Sequence, residues 1–353
     1  LNATFEAVWQ SLGELQPTLA ALALFGEGTS FDTAAAAAVL GVEEAEAGAR
    51  LAVLAGRSLL SRAGGGPVAT GGEGPRLSPE GRWTLHALLR AFVAGQGPVP
   101  EDAWARLAGH FVEVCGQADR LYKQGGDGVQ AGLTLFDLEW PHIQAGQEWA
   151  AAHWEANEEA ARLCSDFPDA GVYCLSLRLG ARERIDWLEA AAQAARRLGN
   201  RAVEGRHLGN LGLAYAALGE ARQSIAYYEQ ALAIVRGILA AARRGSPEWA
   251  VSRRAEGSSL GNLGNAYTAL GNARRAVEYY EEALAIAREI GDRRGEGSRL
   301  GNLGNAYAEL SDVRRAIECH EQALAIAREI GDRRGEGANL GNLGNAYTAL
   351  GEA

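Results

Sequence analysis

Between residues 260 and 299 the apolar positions fall into two helical stripes separated by a glycine. Leu260, Leu263 and Tyr267 recur at the spacing of one helix face, and after Gly271 a second stripe follows in Ala276, Tyr280, Ala283, Leu284 and Ala287. The pattern predicts a helix, a turn and an antiparallel helix. Residues 300–339 nearly repeat these forty. Self-similarity at a fixed period is expected of a solenoid, where each unit buries its apolar face only against a neighbour. Residues 181–208 align without a gap to 273–300, which extends the array back to a degenerate first unit over 168–207. The next unit starts at Leu208 and lies 52 residues before Leu260, so it carries twelve extra residues, in the region 236–255. Residues from 340 supply the first helix of one more unit.

The first 95 residues do not repeat. An apolar helix is expected over 15–25, Asp32 is placed to cap a second over 33–40, and a third runs over 43–55. Residues 58–62 then read as a strand, 64–79 as a Gly/Pro-rich loop and 82–85 as the returning strand. Three helices and a hairpin make a winged helix. Residues 95–100 form a linker by composition, and 101–124 and 133–158 read as helices separated by Gly125, Gly126, Asp127 and Gly128. The segment from Asp137 to Pro141 is expected to open the second of them. The fold class is therefore mainly α, with a winged-helix domain over 1–95, a helical connector over 96–167 and an α-solenoid over 168–353.

The repeated unit resembles the tetratricopeptide repeat, whose pattern is met by Leu260, Leu263-Gly264, Tyr267, Gly271, Ala276, Tyr280 and Ala283. The family's usual closing proline is absent. Residues 288–295 instead read as an extension of the second helix before a glycine stop, as in the forty-residue form found in signalling scaffolds and bacterial sensors. Peptide or protein binding is what this resemblance implies. The first 95 residues, with LALFGEGTSFDTAAAAAVLG, LAGRSLLSR and RWTLHALLRAF, resemble the winged-helix module of STAND-type signalling ATPases of the NB-ARC group. There the module follows a nucleotide-binding domain and precedes a repeat sensor. The implied reading is the sensing and regulatory segment of such an ATPase, with ADP or ATP held by an upstream domain, oligomerisation on activation and a cytoplasmic location.

His86 stands in Leu85-His86-Ala87, at the place of that family's Met-His-Asp motif, which gives it a nucleotide-sensing role by resemblance. An imidazole can donate to a phosphate oxygen. The other reading is a histidine at a strand–helix junction satisfied by backbone groups. No GxxxxGK[ST] occurs in the chain, so no cofactor is expected in this segment itself.

In the same repeat family, the side of the first helix away from the core stripe lines a groove. With Leu260 at zero, Asn262 and Asn265 fall at about 200° and about 140°, on that side. Asn302, Asn305, Asn342 and Asn345 repeat the arrangement, and Asn210 continues it, with Leu213 at the second position. An amide pairs with any peptide group, so these form a candidate ladder for an extended peptide. The alternatives are hydrogen bonds between units, or passive copying of a duplicated repeat. Positions that differ between copies are the candidates for specificity: Ala269 against Glu309, Ser258 and Ser298 against Ala338, and Arg299 against Asn339. Arg293, Arg294, Arg333 and Arg334 lie beside Asp292, Glu296, Asp332 and Glu336 and read as a self-neutralised surface.

Charge narrows the partners. The net charge of −10 over 353 residues argues against nucleic acid as the partner of the whole chain. In residues 1–95 six arginines face nine carboxylates, and Glu43, Glu44 and Glu46 on the third helix have the wrong sign for phosphates. Cys115, Cys164, Cys174 and Cys319 lack CxxC spacing, Cys319 stands where Tyr279 stands one unit earlier, and the histidines show no zinc spacing. Trp140, Trp149 and Trp154 are expected to pack. No uncharged apolar run approaches the roughly 18 residues of a membrane span. The chain begins at Leu1 and contains no methionine, as expected of a fragment. No nucleophile–base or metal constellation suggests an enzyme. A constitutive repeat adaptor without a switch is the alternative to the regulator.

Overall fold

Pro17 lies in the first turn of helix α2 (Gln16–Leu22), where its missing N–H has no helical partner to lose, and Leu19 and Leu22 behind it are fully buried. The structure is a computed structural model that describes residues 2–63, 81–96, 99 and 101–351. The expected loop at 64–79 and linker residues 97, 98 and 100 lie outside these. Helix α1 (Asn2–Ser11) precedes α2 through a short 3-10 turn, so the apolar helix expected over 15–25 ends earlier, at Leu22. Asp32 caps α3 (Thr33–Leu40), its Oδ1 accepting from the Ala35 N–H at 2.8 Å, and α4 (Glu44–Gly56) follows. Strand β1 (Leu60–Arg62) begins two residues later than expected, because Ser58 adopts a left-handed φ of 59° and turns the chain. It pairs antiparallel with β2 (Trp83–Leu85), and Phe31 forms a bridge to Trp83 on the other side. Helix α5 (Ala87–Ala94) follows β2 directly.

Four more helices complete the first of two compact units, Leu1–Leu179: α6 (Glu101–Gln124), α7 (Asp127–His153), α8 (Glu158–Ala170) and α9 (Val172–Arg178). The array's expected start at 168 falls within α8. Helix α7 also differs from expectation, since it starts at Asp127 and carries Pro141 in its interior, so no turn opens a helix there. The proline is tolerated because the helix is held by its neighbours. A Cβ on Gly132 would come within 2.5 Å of the Ala118 carbonyl, so α7 packs on α6 backbone to backbone. Phe136, Glu139, His142 and Ile143 are all buried on either side of Pro141, and packing overrides the local preference.

A polar network crosses this core. The guanidinium of Arg82 meets both carboxylate oxygens of Glu139, at 2.5 and 3.1 Å, and also donates to Ser30 Oγ at 2.8 Å and to the Ser30 carbonyl. His142 contacts that same carbonyl through Nε2 at 3.1 Å and sits between Phe25 and Phe111. Burial pushes the His142 imidazole down to about 4 and the Glu139 carboxyl up, with Arg82 drawing the latter back. Trp149 is buried and Trp140 stacks on Phe136, as packing residues do.

The second unit, Gly180–Ala353, is a run of antiparallel helices. It comprises α10 (Ala181–Arg197), α11 (Arg201–Ala217), α12 (Ala221–Ala241), α13 (Pro247–Ala269), α14 (Ala273–Glu289), α15 (Arg293–Glu309), α16 (Val313–Glu329) and α17 (Arg333–Leu350). Each packs chiefly on its sequence neighbours, and Leu260, Leu263, Tyr280, Leu300 and Leu303 join in one continuous core. The second helix of the unit ends at Glu289 instead of extending to 295. Gly291 takes a φ of 68°, Asp292 caps through the Gly295 N–H at 2.9 Å, and Arg293 already opens the next helix.

Ser311 occupies the left-handed position that glycine fills at Gly219, Gly271 and Gly351, with a φ of 63°. That conformation costs an L-residue about 1–2 kcal/mol, partly offset by the greater freedom glycine has when unfolded. Ser311→Gly is expected to stabilise the array by about 1 kcal/mol. The urea midpoint should rise, and an unchanged or lower one would contradict the backbone account.

One ionic motif fixes every junction between a second helix and the next first helix. Glu204 lies between Arg196 (2.7 Å) and Arg201 (2.6 Å), Glu256 between Arg236 (2.8 Å) and Arg253 (2.5 Å), Glu296 between Arg288 (2.8 Å) and Arg293 (2.5 Å), and Glu336 between Arg328 (3.0 Å) and Arg333 (3.1 Å). Glu204, Glu256 and Glu296 are buried, and each is matched by two guanidinium groups. The twelve extra residues of the long unit sit inside one such motif, between Arg236 and Arg253, where they lengthen α12 and α13. The junction is preserved across the insertion.

Candidate functional site

The first helices α11, α13, α15 and α17 place the asparagines as the helical angle predicts. Leu260 and Leu263 are fully buried, whereas Asn265, Asn305 and Asn345 are exposed and Asn210, Asn262, Asn302 and Asn342 half-buried. Ala269 and Glu309 are exposed on the same helices, one turn further on. The orientation of Asn265 comes from the second helix. The Tyr280 ring packs flat against Gly264, where a Cβ would meet its Cδ1 at 2.5 Å, and the Tyr280 hydroxyl donates to Asn265 Oδ1 at 2.7 Å. That oxygen also accepts from Asn302 Nδ2 at 3.1 Å, and Asn305 Oδ1 accepts from Asn342 Nδ2 at 3.0 Å.

The asparagines are therefore joined from unit to unit, as one of the sequence readings has it. The bonds use only part of each amide: Nδ2 of Asn265 and Asn305 and Oδ1 of Asn302 and Asn342 stay unbonded among the described residues, as do the side chains of Asn210, Asn262 and Asn345. In the first full unit Leu213 and Ala216 stand where Asn265 and Thr268 contact the tyrosine hydroxyl. A cavity of about 540 Å³ opens there, lined by Leu213, Tyr228, Asn262, Asn265 and Leu270 among others. A second, of about 480 Å³, lies further along the same helices, with Ser298, Asn302, Asn305 and Asn342 on its wall.

The copy-to-copy differences acquire physical meanings. Arg299 folds its guanidinium across Gly261, where a Cβ would meet Nε at 2.5 Å, and burial lowers its pKa. Its counterpart Asn339 is held by His320 Nδ1 at 3.3 Å and by the Gly335 carbonyl at 2.8 Å. His320 itself replaces Tyr280, so the two substitutions go together. The arginine pairs do not act as one surface. Arg293 and Arg333 belong to the junction motif, but Arg294 and Arg334 have no ionic or hydrogen-bonding partner among the described residues. Sequence reasoning missed this because adjacent helical residues point about 100° apart, which adjacency in the chain conceals.

His86 is exposed and caps α5, its Nδ1 accepting from the Leu88 N–H at 3.3 Å. Burial pushes the thiol of Cys164 up to about 12, those of Cys174 and Cys319 up to about 11, and that of Cys115 higher still. No metal-binding cluster of His, Cys, Asp or Glu occurs among the described residues, and none of their helices is long and apolar enough to cross a membrane.

Residues 208–239, 255–329 and 300–353 match models of the tetratricopeptide repeat family. No curated protein matches the sequence. Among solved structures, the chain is similar to aspartyl phosphate phosphatase F from Bacillus subtilis, with 13% identity, a TM-score of 0.49 and coverage of 73% of this chain and 72% of that one. It is similar to a putative kinesin light chain with nearly identical tetratricopeptide-like repeats from Podosopora anserina, with 21% identity, a TM-score of 0.42 and coverage of 64% and 97%. A Signal Transduction ATPase with Numerous Domains (STAND) protein with a tetratricopeptide repeat sensor, from Pyrococcus horikoshii, gives 17% identity, a TM-score of 0.33 and coverage of 99% of this chain and 56% of that one. The forty-residue units that organise the second half of this mainly helical chain are tetratricopeptide repeats.

Proposed function

We propose that the face carried by α11, α13, α15 and α17 binds an extended peptide or a segment of a partner protein. The observation that carries this reading is the pair of bonds between units, Asn302 to Asn265 and Asn342 to Asn305. They hold the remaining amide donors and acceptors in fixed positions on an exposed face, so little side-chain freedom is lost when a peptide backbone binds. Ala269, Glu309 and the cavity beside Leu213 supply the variable surface against which side chains are selected.

The wider reading is that this segment senses and regulates within a STAND-type ATPase, a cytoplasmic signalling protein whose ADP or ATP lies in an upstream domain and which oligomerises on activation. Ligand in the groove would favour an open state over one in which a winged helix at 1–95 holds that domain closed. Support comes from the resemblance of residues 1–95 and from the succession of α2, α3 and α4, after α1, by a β1–β2 pair bridged at Trp83. His86 keeps its Nε2 unbonded beside its capping Nδ1, which leaves a donor for a phosphate. The second reading is a constitutive adaptor, favoured by the Arg–Glu–Arg junctions that make each step of the array stiff.

Peptides selected from a random display library test the groove. Asn265→Ala with Asn305→Ala is expected to weaken them by about tenfold or more. Undiminished binding would remove the asparagines from the site. The parent sequence upstream of Leu1 separates the two wider readings: a P-loop ATPase domain supports the regulator, and its absence leaves the adaptor.

A further inference from the structure

The ladder of asparagines is closed at two steps of the array and broken at a third. Asn302 on α15 donates to Asn265 on α13 at 3.1 Å, and Asn342 on α17 donates to Asn305 on α15 at 3.0 Å. The equivalent donor on α13 is Asn262, and the position that should accept from it on α11 is Leu213, which has no acceptor to offer. The Asn262 amide has no hydrogen-bond partner among the described residues, and the cavity of about 540 Å³ opens beside it, walled by α11, α12 and α13.

The floor of the cavity departs from the repeat in the same unit. Tyr280 is held through its hydroxyl by Asn265 at 2.7 Å and Thr268 at 3.4 Å, whereas its counterpart Tyr228 has Leu213 and Ala216 at those positions. One turn before Tyr228 lies Ser224, where the later units carry Ala276 and Ala316. The Ser224 side chain is fully buried, and its Oγ, beside the Tyr228 hydroxyl, makes no hydrogen bond. A buried hydroxyl without a partner is costly, and alanine at this position would avoid the cost. Both residues line the cavity. The rest of the wall is largely apolar, with Leu213, Ala266, Ala269 and Leu270, and Ala269 stands where Glu309 presents a carboxylate one unit later. The charged lining residues, Glu220 and Arg222, are one of each sign.

We propose that this cavity binds a small neutral molecule with an apolar, ring-sized body and a carboxamide end. Asn265 shows the chemistry one unit later, where a single amide oxygen accepts from the tyrosine hydroxyl and from the next asparagine together. A ligand carboxamide supplies that oxygen to Tyr228 and Asn262 and brings N–H donors for Ser224 Oγ. The body lies against the apolar wall, and the volume falls within the roughly 300–1,000 Å³ of small-molecule sites. A charged ligand meets repulsion as well as attraction from Glu220 and Arg222, and it gives up its hydration to an apolar wall. The occupant completes the ladder at its broken step and joins α13 to α12. The ligand is a free molecule, so the site goes beyond the groove reading and does not depend on it.

Benzamide is the probe, with benzoate and toluene as its charged and apolar counterparts, titrated into the full chain and followed by ligand-observed NMR. Benzamide should bind with a dissociation constant of about 1 mM or below, and the other two about tenfold more weakly or worse. Asn262→Ala should weaken benzamide by about tenfold. Ser224→Ala should weaken it too while raising the unfolding midpoint, because it removes an unpaired buried hydroxyl; a purely structural serine would move only the midpoint. Leu213→Asn with Ala216→Thr copies the next unit, gives Asn262 its acceptor and should abolish binding. Asn305→Ala lies outside the cavity and should leave benzamide unaffected, which separates this site from the peptide groove. Benzoate bound as tightly as benzamide would overturn the neutral ligand, and toluene bound as tightly would overturn the polar end. Absence of benzamide binding, or binding that survives Leu213→Asn with Ala216→Thr, would overturn the site. Display-selected peptides that lose affinity with that double change, while benzamide fails to bind, would give the cavity to a peptide side chain instead.

Discussion

Arg82→Ala is expected to destabilise the first unit by about 3–5 kcal/mol, among the largest effects of any single change in the chain. The reason is less the lost attraction than what remains. Glu139 is 4% exposed and would be left with a buried carboxyl and no counter-charge, and the Ser30 carbonyl would lose one of its donors. Replacing Arg82 and Glu139 together by methionine should cost much less than either change alone, because a buried ion pair often breaks even against apolar residues of similar volume. Urea unfolding of the four proteins in a double-mutant cycle measures the coupling. A loss below about 1 kcal/mol for Arg82→Ala would mean that the pair behaves like a solvated surface bridge.

Gly264→Ala and Gly344→Ala should have opposite signs although both glycines stand in the same Gly-Asn-Leu-Gly-Asn-Ala-Tyr sequence. A methyl group on Gly264 would enter the Tyr280 ring, and on Gly304 it would meet His320 Cε1 at 2.5 Å. The ring cannot retreat, since its hydroxyl is tied to Asn265 and its body is buried in the core. Overpacking of this kind costs about 1–3 kcal/mol, and the upper end is expected here because the obstacle is a stiff aromatic. Nothing lies within 4 Å of a Cβ at Gly344, and there the change only replaces a poor helix former, for a gain of up to about 1 kcal/mol. Thermal unfolding of the two variants decides it, and equal effects would show that the glycines act through helix propensity alone.

Much of the candidate face is legible in the sequence. The asparagines lie away from the core because Leu260, Leu263 and Tyr267 define the buried stripe and the helical angle does the rest. The caps at Asp32 and Asp292 follow from side-chain chemistry at fixed offsets. What was missed is instructive: α7 runs through Pro141, where the local signal for a helix start is real but weaker than burial on α6. The unit was also cut at the wrong place, since the Gly291–Asp292 stop and cap, which look like the tail of one helix, open the next. Arg293 and Arg294 look alike in sequence, yet one is bound by two carboxylates and the other by none.

By itself the sequence determined the period, the helix pairs and the faces they bury, because these depend on the spacing of apolar residues along one chain. It could not determine which copies of a repeated residue are equivalent. Gly264 and Gly344, Arg293 and Arg294, or Arg299 and Asn339 differ in what stands opposite them, and that is set by residues on neighbouring helices, such as Tyr280 for Gly264, Glu329 for Arg293 and His320 for Asn339. Near-identical copies therefore share local structure while their energetics, and the open cavity between α15 and α17, were decided only when the helices stacked.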